Sequence, residues 1–205
     1  IEYKNYPLEL NYCEECSNSQ LSVVVPPSEM FDNYLYLSSA MSSFKKYFNN
    51  LAGKLKKQLN LDKKSLVVDI GSNDGVFLQP LKDLGIKAIG VEPAKNVAKI
   101  ANELKLETLQ AYFDDKTCKK ILQKYGKADL VTAFNVFAHN DNLYEIALNI
   151  EKILKPSGRF IFEVQYLYDT INDLTFDNIY HEHVNYWTVK SLLAFFENLD
   201  LVIYK

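Results

Sequence analysis

The 205-residue sequence contains few of the residues that mark several large protein classes. It has only 3 cysteines, 3 histidines and one tryptophan, Trp187. Three cysteines are too few for a disulfide framework, so we expect a reduced, cytoplasmic setting. No segment approaches the roughly 18–20 uninterrupted apolar residues that a membrane-spanning helix needs. The sequence therefore predicts no membrane partner.

Neither sign of charge dominates the chain. Lys and Arg number 23 against 26 for Asp and Glu, which gives a formal net charge of −3. This slightly acidic balance, with scattered lysines, argues against binding to a nucleic-acid backbone. Hydrophobic residues make up 48% and charged residues 24%, a composition that excludes an intrinsically disordered chain. The length fits one domain of ordinary size with a small appendage.

Strand-like and helix-like segments alternate through most of the chain. Apolar residues at helical spacing predict a first helix that begins at Met41. Alternation of strands and long helices then predicts an α/β fold, with a mainly parallel sheet and helices on both faces. The predicted strands are 66–70, 87–91, 107–110, 129–133, 159–164 and 201–204, and the predicted helices after the first are 74–84, 97–104, 115–125, 143–154 and 189–196.

The loop after the first predicted strand contains Gly71 and Gly75 among acidic residues. A dinucleotide fingerprint would need glycine at positions 73 and 76, where the chain has Asn73 and Val76, so a bound pyrophosphate is not favoured. Carboxylates repel phosphate but accept hydrogen bonds from an amine or from ribose hydroxyls. Glu92, at the end of the second predicted strand, offers two such oxygens. The sequence therefore predicts an adenosine ligand with a cationic amino-acid tail.

Residues 68–75, taken with residues 90–93, resemble the class I S-adenosylmethionine-dependent methyltransferases, which have a Rossmann-like sheet. The resemblance implies that the glycine loop wraps the amino-acid tail of S-adenosylmethionine and that Glu92 holds its ribose. A nucleotide-binding α/β domain of another kind is the alternative. The expected cofactor-binding residues are Asp69, Gly71, Ser72, Asn73, Asp74, Gly75, Glu92, Pro93 and Asn135.

All three histidines lie in two segments that follow predicted strands. His139 ends the segment 134–139, and His181 and His183 belong to a Tyr-His-Glu-His sequence. A parallel sheet binds its ligand at the carboxyl ends of its strands, so we expect these side chains to face the ligand. A structural role is the alternative for an isolated histidine. A zinc site at His181 and His183 is a further alternative, without an evident third ligand.

These two segments, together with tyrosines near the start of the chain, resemble the sugar C-methyltransferases. That family acts on nucleotide-linked 4-keto deoxysugars, and the resemblance implies a nucleotide-sugar substrate methylated at C3 through an enolate. A histidine suits the base that this chemistry requires. The resemblance implies that His183 is the base and that Glu182 assists it. It also implies that Tyr180 and His139 donate hydrogen bonds to the enolate oxygen, and that Tyr34 or Tyr36 reaches the sugar.

The resemblance also implies how the chain is divided. Residues 1–40 would be the remnant of an N-terminal zinc-binding module, residues 41–62 a linking helix, and residues 63–205 the S-adenosylmethionine-binding domain. Cys13 and Cys16 would be two of four zinc ligands, which leaves a structural zinc site incomplete. The seventh strand and the C-terminal domain of the family are absent, so we expect this chain to be part of a longer protein.

Two other functions are compatible with the same cofactor loop. The first is an O- or N-methyltransferase that acts on another small molecule, which product analysis would distinguish from a C-methyltransferase. The second is a scaffold that has kept the fold without activity, although Gly71, Gly75 and Glu92 are all present.

Overall fold

The computed structural model of the protein describes residues 4–204. Five parallel strands form its central sheet, in the order β5-β4-β3-β6-β7, and three short antiparallel strands form a second sheet, in the order β1-β2-β8. The α/β fold with a parallel sheet is therefore confirmed. The strands are β1 (Leu10–Tyr12), β2 (Ser19–Leu21), β3 (Leu66–Ile70), β4 (Lys87–Glu92), β5 (Thr108–Gln110), β6 (Ala128–Phe134), β7 (Leu154–Glu163) and β8 (Asn185–Tyr186).

Helices cover both faces of the central sheet. The helices are α1 (Pro27–Phe31), α2 (Ser42–Gln58), α3 (Leu78–Asp83), α4 (Lys95–Glu103), α5 (Asp115–Tyr125), α6 (Leu143–Ile153), α7 (Leu167–Asn172) and α8 (Val189–Phe196). Every residue of β3 is buried. Because side chains alternate along a strand, Val67 packs in the core with α2 and α3, while Val68 packs in the core with α5 and α6. The apolar run of β3 is thus explained by its central position.

Three predicted segments differ from the structure by more than two residues. Strand β7 begins at Leu154 rather than at position 159, because Leu154 already pairs with Ala128 of β6. Helix α3 begins at Leu78 rather than at position 74, because Asn73 and Gly75 have φ angles of 49° and 85°, which a right-handed helix does not allow. The prediction of a strand at 201–204 is wrong, since these residues pair with no strand of the described chain. Arg159 lies over the ring of Tyr204 at 5.4 Å, a contact that holds this segment beside β7 without ladder hydrogen bonds.

The small antiparallel sheet joins the beginning of the described chain to the segment that contains the histidine pair. Strand β2 pairs with β8, and the backbone N–H of Leu21 donates to the carbonyl of Val184 at 2.9 Å. Leu21 also packs with Leu167 and Tyr186 in a separate apolar cluster. Strand β2 and this apolar cluster therefore support the segment that follows His183. Among residues 4–204, no helix combines the length and apolar character that crossing a membrane requires.

Candidate active site

A cavity of about 410 Å³ opens at the carboxyl ends of β3, β4 and β6, where a parallel sheet is expected to bind a ligand. Most of the predicted site residues line it. Asp74, Gly75 and Glu182 do not line the cavity, but each is adjacent in the chain to a residue that lines it. The predicted residues that line the cavity are Tyr34, Tyr36, Asp69, Gly71, Ser72, Asn73, Glu92, Pro93, Asn135, His139, Tyr180 and His183.

One half of the cavity, here called the glycine-loop half, is formed by Asp69, residues 71–73 and Glu92. Gly71 has a φ of 66°, and a Cβ atom at this position would overlap the side chain of Val136. Its N–H donates to the carbonyl of Val91 at 2.8 Å. Only glycine lets the loop pass this close to the segment that follows β6. The loop backbone therefore forms part of the cavity wall.

Glu92 connects this loop to the start of α4. Its carboxylate is 5% exposed and accepts the N–H of Asn73 on one oxygen and the N–H of Ala94 on the other, both at 2.9 Å. Burial raises the pKa of Glu92, while these two hydrogen bonds oppose the rise. Each oxygen keeps a free lone pair, so the carboxylate can still accept two hydroxyl groups from a ligand.

Asp69 lies at the floor of the same half and is 3% exposed. The hydroxyl of Thr132 donates to its carboxyl group at 2.6 Å. Burial raises the pKa of Asp69 to about 7 despite this bond. The hydroxyl of Ser72 is buried without a hydrogen-bond partner within residues 4–204. Buried polar groups are normally satisfied, so this half fits a ligand with a polar tail.

A segment of residues 32–39, here called the tyrosine segment, closes over the glycine loop. The side chain of Asn73 donates to the carbonyl of Tyr36 at 3.0 Å and accepts the N–H of Ser38 at 3.0 Å. Asp74 accepts the N–H of Ser39 at 3.1 Å. Two predicted cofactor-loop residues thus direct their side chains to the tyrosine segment.

The same segment reaches across to the histidines. Asn96 of α4 holds the backbone of Tyr34 through two hydrogen bonds, of 3.0 and 2.6 Å. The hydroxyl of Tyr34 donates to Glu182 at 3.0 Å. Burial and the charge of Glu182 raise the pKa of Tyr34, so the phenol remains protonated. This hydrogen bond connects residues that are 148 positions apart.

The other half of the cavity, here called the histidine half, is formed by His139, Gln165, Tyr180 and His183. His183 is 4% exposed, and its Nδ1 lies 2.8 Å from the carbonyl of Asn178. A carbonyl can only accept, so Nδ1 carries the proton and Nε2 presents a lone pair. The side-chain nitrogen of Gln165 and the hydroxyl of Tyr180 lie 3.1 and 3.2 Å from Nε2.

Both cavity histidines are electrically neutral near pH 7. Burial lowers the pKa of His183. Burial, and then the neighbouring His183, lower the pKa of His139 to about 3. The two rings lie 5.0 Å apart, and His139 stacks on Phe31 at 5.8 Å. Nε2 of His139 is buried without a partner within the described chain, so a ligand group could bond to it. A neutral imidazole with a free lone pair is the form in which histidine acts as a base.

Among the described residues, the structure does not bring together a complete set of ligands at either zinc site that the sequence suggests, the one at His181 and His183 or the one at Cys13 and Cys16. Nε2 of His181 faces the carbonyl of Pro7 at 3.3 Å, away from the partners of His183. Cys13 and Cys16 are free thiols, in the part of the chain that includes the β1–β2 turn. Within residues 4–204, no group of three or more His, Cys, Asp or Glu residues could hold a metal ion. Two thiols do not complete the tetrahedral set that structural zinc requires, so the residues present do not fit this metal.

Several residues of the cavity were not predicted. Gln165 and Tyr112 each follow the carboxyl end of a strand within two residues, and that position is the signal that could have identified them. Phe31 and Asn178 come from a short helix and a short 3-10 turn without a recognisable motif. Nothing in the local sequence indicates that these two residues meet the cavity.

Known proteins resemble the chain in sequence and in fold. A family model described as a methyltransferase domain matches residues 43–205. The C-methyltransferase NovU of Streptomyces niveus is 33% identical over 196 residues, which cover 96% of this chain and 47% of that protein. The sterol 4-C-methyltransferase strm-1 of Caenorhabditis elegans is 28% identical over 133 residues, 62% of this chain and 37% of that protein. The chain thus spans about half of the length of these relatives or less.

Solved structures resemble the central sheet and its helices. The crystal structure of a SAM-dependent methyltransferase from Archaeoglobus fulgidus superposes with a TM-score of 0.58 and 23% identity. The superposition covers 75% of this chain and 68% of that one. At this level of identity, the similarity establishes a shared fold.

Proposed function

The chain belongs to the methyltransferase-domain family, and on this premise we propose that it methylates a carbon atom of a nucleotide-linked 4-keto deoxysugar. One observation carries the proposal. A single cavity joins a glycine loop with buried carboxylates to a neutral histidine whose Nε2 carries its lone pair and lies among the lining side chains Gln165 and Tyr180. The relative NovU, which is named a C-methyltransferase, supports transfer to carbon.

The glycine-loop half suits S-adenosylmethionine. This cofactor supplies an electrophilic methyl group bonded to a positively charged sulfur. Glu92 would accept the two ribose hydroxyls, because each of its oxygens has a lone pair left over from its backbone bonds. Ser72 and Asp69 would receive the polar amino-acid tail, since the Ser72 hydroxyl has no other partner in the described chain and Asp69 accepts cationic donors when ionised.

The histidine half suits removal of a proton next to a ketone. In the proposed reaction, Nε2 of His183 takes the proton from C3, and the electron pair of the broken C–H bond passes into the C4 carbonyl to give an enolate. The rings of Tyr180 and His139 lie 4.3 and 5.0 Å from the ring of His183, and both side chains would donate hydrogen bonds to the enolate oxygen. The enolate carbon would then bond to the methyl group of the cofactor while the methyl–sulfur bond breaks and leaves its electron pair on the sulfur. The C4 ketone would re-form, and the proton taken from C3 would stay on His183.

Glu182 would stabilise the protonated base. Its negative charge favours the imidazolium form of His183, and Tyr34 holds the carboxylate in place through a hydrogen bond of 3.0 Å. An opposite charge near a titratable group favours the ionised form, so this arrangement offsets part of the burial that keeps His183 neutral. Tyr34 would thus serve the base through Glu182.

The cavity lining bears on which part of the substrate enters. Among the residues of the described chain, 4–204, that line the cavity, none is a lysine or an arginine. A diphosphate group carries charges that would need such partners. The polar side chains of the histidine half are instead a tyrosine, a carboxamide and two neutral imidazoles, which match the hydroxyl and keto groups of a sugar. We therefore assign the histidine half of the cavity to the sugar ring and place the nucleotide of the substrate outside the cavity.

Product analysis tests this proposal. The chain is incubated with S-adenosylmethionine carrying a ¹³C-labelled methyl group and with nucleoside diphosphate 4-keto-6-deoxysugars, and the product is examined by NMR. We expect the label on a ring carbon. His183→Ala should lower the turnover by about 10²–10⁴-fold, the usual contribution of a general base, while His181→Ala serves as the matched control. Label on oxygen or nitrogen, or unchanged turnover by His183→Ala, would contradict the proposal.

A further inference from the structure

Gln165 contacts the proposed base, although it is not among the predicted site residues. Its side-chain nitrogen lies 3.1 Å from Nε2 of His183, and its side-chain oxygen is buried with no partner in the described chain. The residue sits two positions after the end of β7 and two before the start of α7. The N–H of Leu167 donates to the carbonyl of Trp187 at 2.8 Å, which fixes the backbone beside it. The carboxamide is therefore held against the imidazole.

The chemistry of this contact depends on the protonation state of His183. Because Nδ1 donates to the carbonyl of Asn178, the neutral ring offers only a lone pair at Nε2, and Gln165 must present its N–H. Once Nε2 has gained a proton, the ring offers an N–H at the same place. A carboxamide carries a donor and an acceptor, so rotation about its last bond presents the oxygen instead.

We propose that Gln165 is a positioning residue that supports His183 in both protonation states, presenting its N–H to the neutral ring and its oxygen to the protonated ring. The inference rests on the proposed function, because it takes His183 as the base. No covalent bond changes at Gln165, and the proton stays on His183. A carboxylate at this position would bond only to the protonated ring, and a thioether would bond to neither form.

Other groups around His183 are unchanged by a substitution at position 165. The hydroxyl of Tyr180 lies 3.2 Å from Nε2, and the ring of His139 lies at 5.0 Å. Glu182 precedes His183 in the chain and favours its charged form. The ring of Tyr186 lies at 6.3 Å. Since all of these remain in place, a change in the titration of His183 would report the change at position 165.

Two variants at position 165 test whether the carboxamide of Gln165 supports His183. Gln165→Glu places a carboxylate beside Nε2, and we expect the pKa of His183 to rise by about 1 pH unit or more, as an opposite charge at this range produces. Gln165→Met keeps the length of the side chain without its hydrogen bonds, and we expect kcat to fall by about tenfold, the loss of one hydrogen bond in the transition state. Gln123→Glu, on the exposed face of α5, is the control for added charge.

The titration is measured directly in the free protein. With only 3 histidines in the chain, NMR of ¹⁵N-labelled imidazoles resolves each ring and its tautomer. We expect the Nδ1–H tautomer at His183, a higher pKa in Gln165→Glu, and an equal upward shift of the acidic limb of kcat/KM against pH. S-adenosylhomocysteine should bind all variants with unchanged affinity, which shows that the variants remain folded.

These measurements distinguish failure of the proposed role of Gln165 from failure of His183 as the base. If Gln165→Glu changes neither the pKa of His183 nor the rate profile, while His183→Ala still abolishes turnover, the role of Gln165 is overturned and the proposed base stands. If the pKa of His183 rises but the rate profile does not follow, His183 is not the base, and the role of Gln165 in catalysis falls with it. A kcat unchanged by Gln165→Met would also overturn the role.

Discussion

The two halves of the cavity are built in different ways. The glycine-loop half comes from neighbouring parallel strands, in which Asp69 is paired with Gly90 by strand register and Glu92 follows two residues later. The histidine half is assembled from segments far apart in the chain and is joined by side-chain bonds, such as the one from Tyr34 to Glu182. The first half therefore depends on the sheet, whereas the second depends on how loops and the tyrosine segment pack against it.

The halves also differ in the kind of titratable group that burial keeps neutral, which is a carboxyl group in the first half and an imidazole in the second. In the glycine-loop half, burial raises the pKa values of Asp69 and Glu92. In the histidine half, burial lowers the pKa values of His139 and His183. Both shifts favour the neutral form of the group. A cationic cofactor would restore the negative charge of the first half, while the second half needs a neutral imidazole to act as a base.

The largest effect we expect is on the pH dependence of stability, through Asp69. Its pKa is about 7 in the folded protein and about 4 in an unfolded chain, so between these values the folded state binds more protons. The contribution of Asp69 to stability is therefore greatest below about pH 4 and is lost as the pH rises to about 7. Asp69→Asn should remove a slope of up to about 1.4 kcal/mol per pH unit across this window.

Urea unfolding of wild type and Asp69→Asn at half-unit steps from pH 4.5 to 7.5 measures this slope. The difference between the two curves is the relevant quantity, because the remaining carboxylates titrate in both proteins. Asp83→Asn, an exposed acid of α3, is the control and should leave the slope unchanged. Parallel curves for wild type and Asp69→Asn would mean that Asp69 is ionised in the folded protein throughout this range.

The second effect concerns cofactor affinity. Glu92→Gln keeps the size of the side chain but replaces one acceptor oxygen by a donor, so the hydrogen bonds to ribose weaken and one backbone N–H loses its partner. We expect S-adenosylhomocysteine to bind about 10–100-fold more weakly in calorimetric titration. Glu103→Gln, at the exposed end of α4, is the control and should bind normally. Equal weakening by His183→Ala would show that the two halves are not independent in binding.

Most of the glycine-loop half was predictable from sequence. A buried strand, a loop with Gly71 and Gly75, and an acid after the next strand are local patterns, and the parallel register brings them together. The helical spacing predicts too early a start for α3, because the left-handed conformation of Asn73 depends on contacts with Glu92 and Tyr36. Sequence spacing contains no information about such contacts.

The histidine half was predictable only in part. The Tyr-His-Glu-His sequence indicated a site, and the structure places Tyr180 and His183 at the cavity, whereas His181 turns to Pro7. Neither the stacking of Phe31 on His139 nor the contact of Gln165 with His183 has a local signature. These contacts arise when segments separated by many residues pack together, so only the three-dimensional structure reveals them.

The smallest effect we expect is that of Asn96→Ala, which should weaken binding in the histidine half and leave binding in the glycine-loop half unchanged. Asn96 lies outside the cavity lining but makes both hydrogen bonds that hold the backbone of Tyr34. Asn96→Ala should loosen Tyr34, and through it Glu182, without altering any group that faces the cofactor.

Loss of such bonds costs about 1 kcal/mol, so we expect the KM for the keto-sugar to rise several-fold while the Kd of S-adenosylhomocysteine stays within about twofold. Lys99→Ala, on the exposed side of the same helix, is the control. If Asn96→Ala weakened cofactor binding as much as sugar binding, the tyrosine segment would belong to the glycine-loop half, because its hydrogen bonds to Asn73 and Asp74 would then outweigh its contact with Glu182.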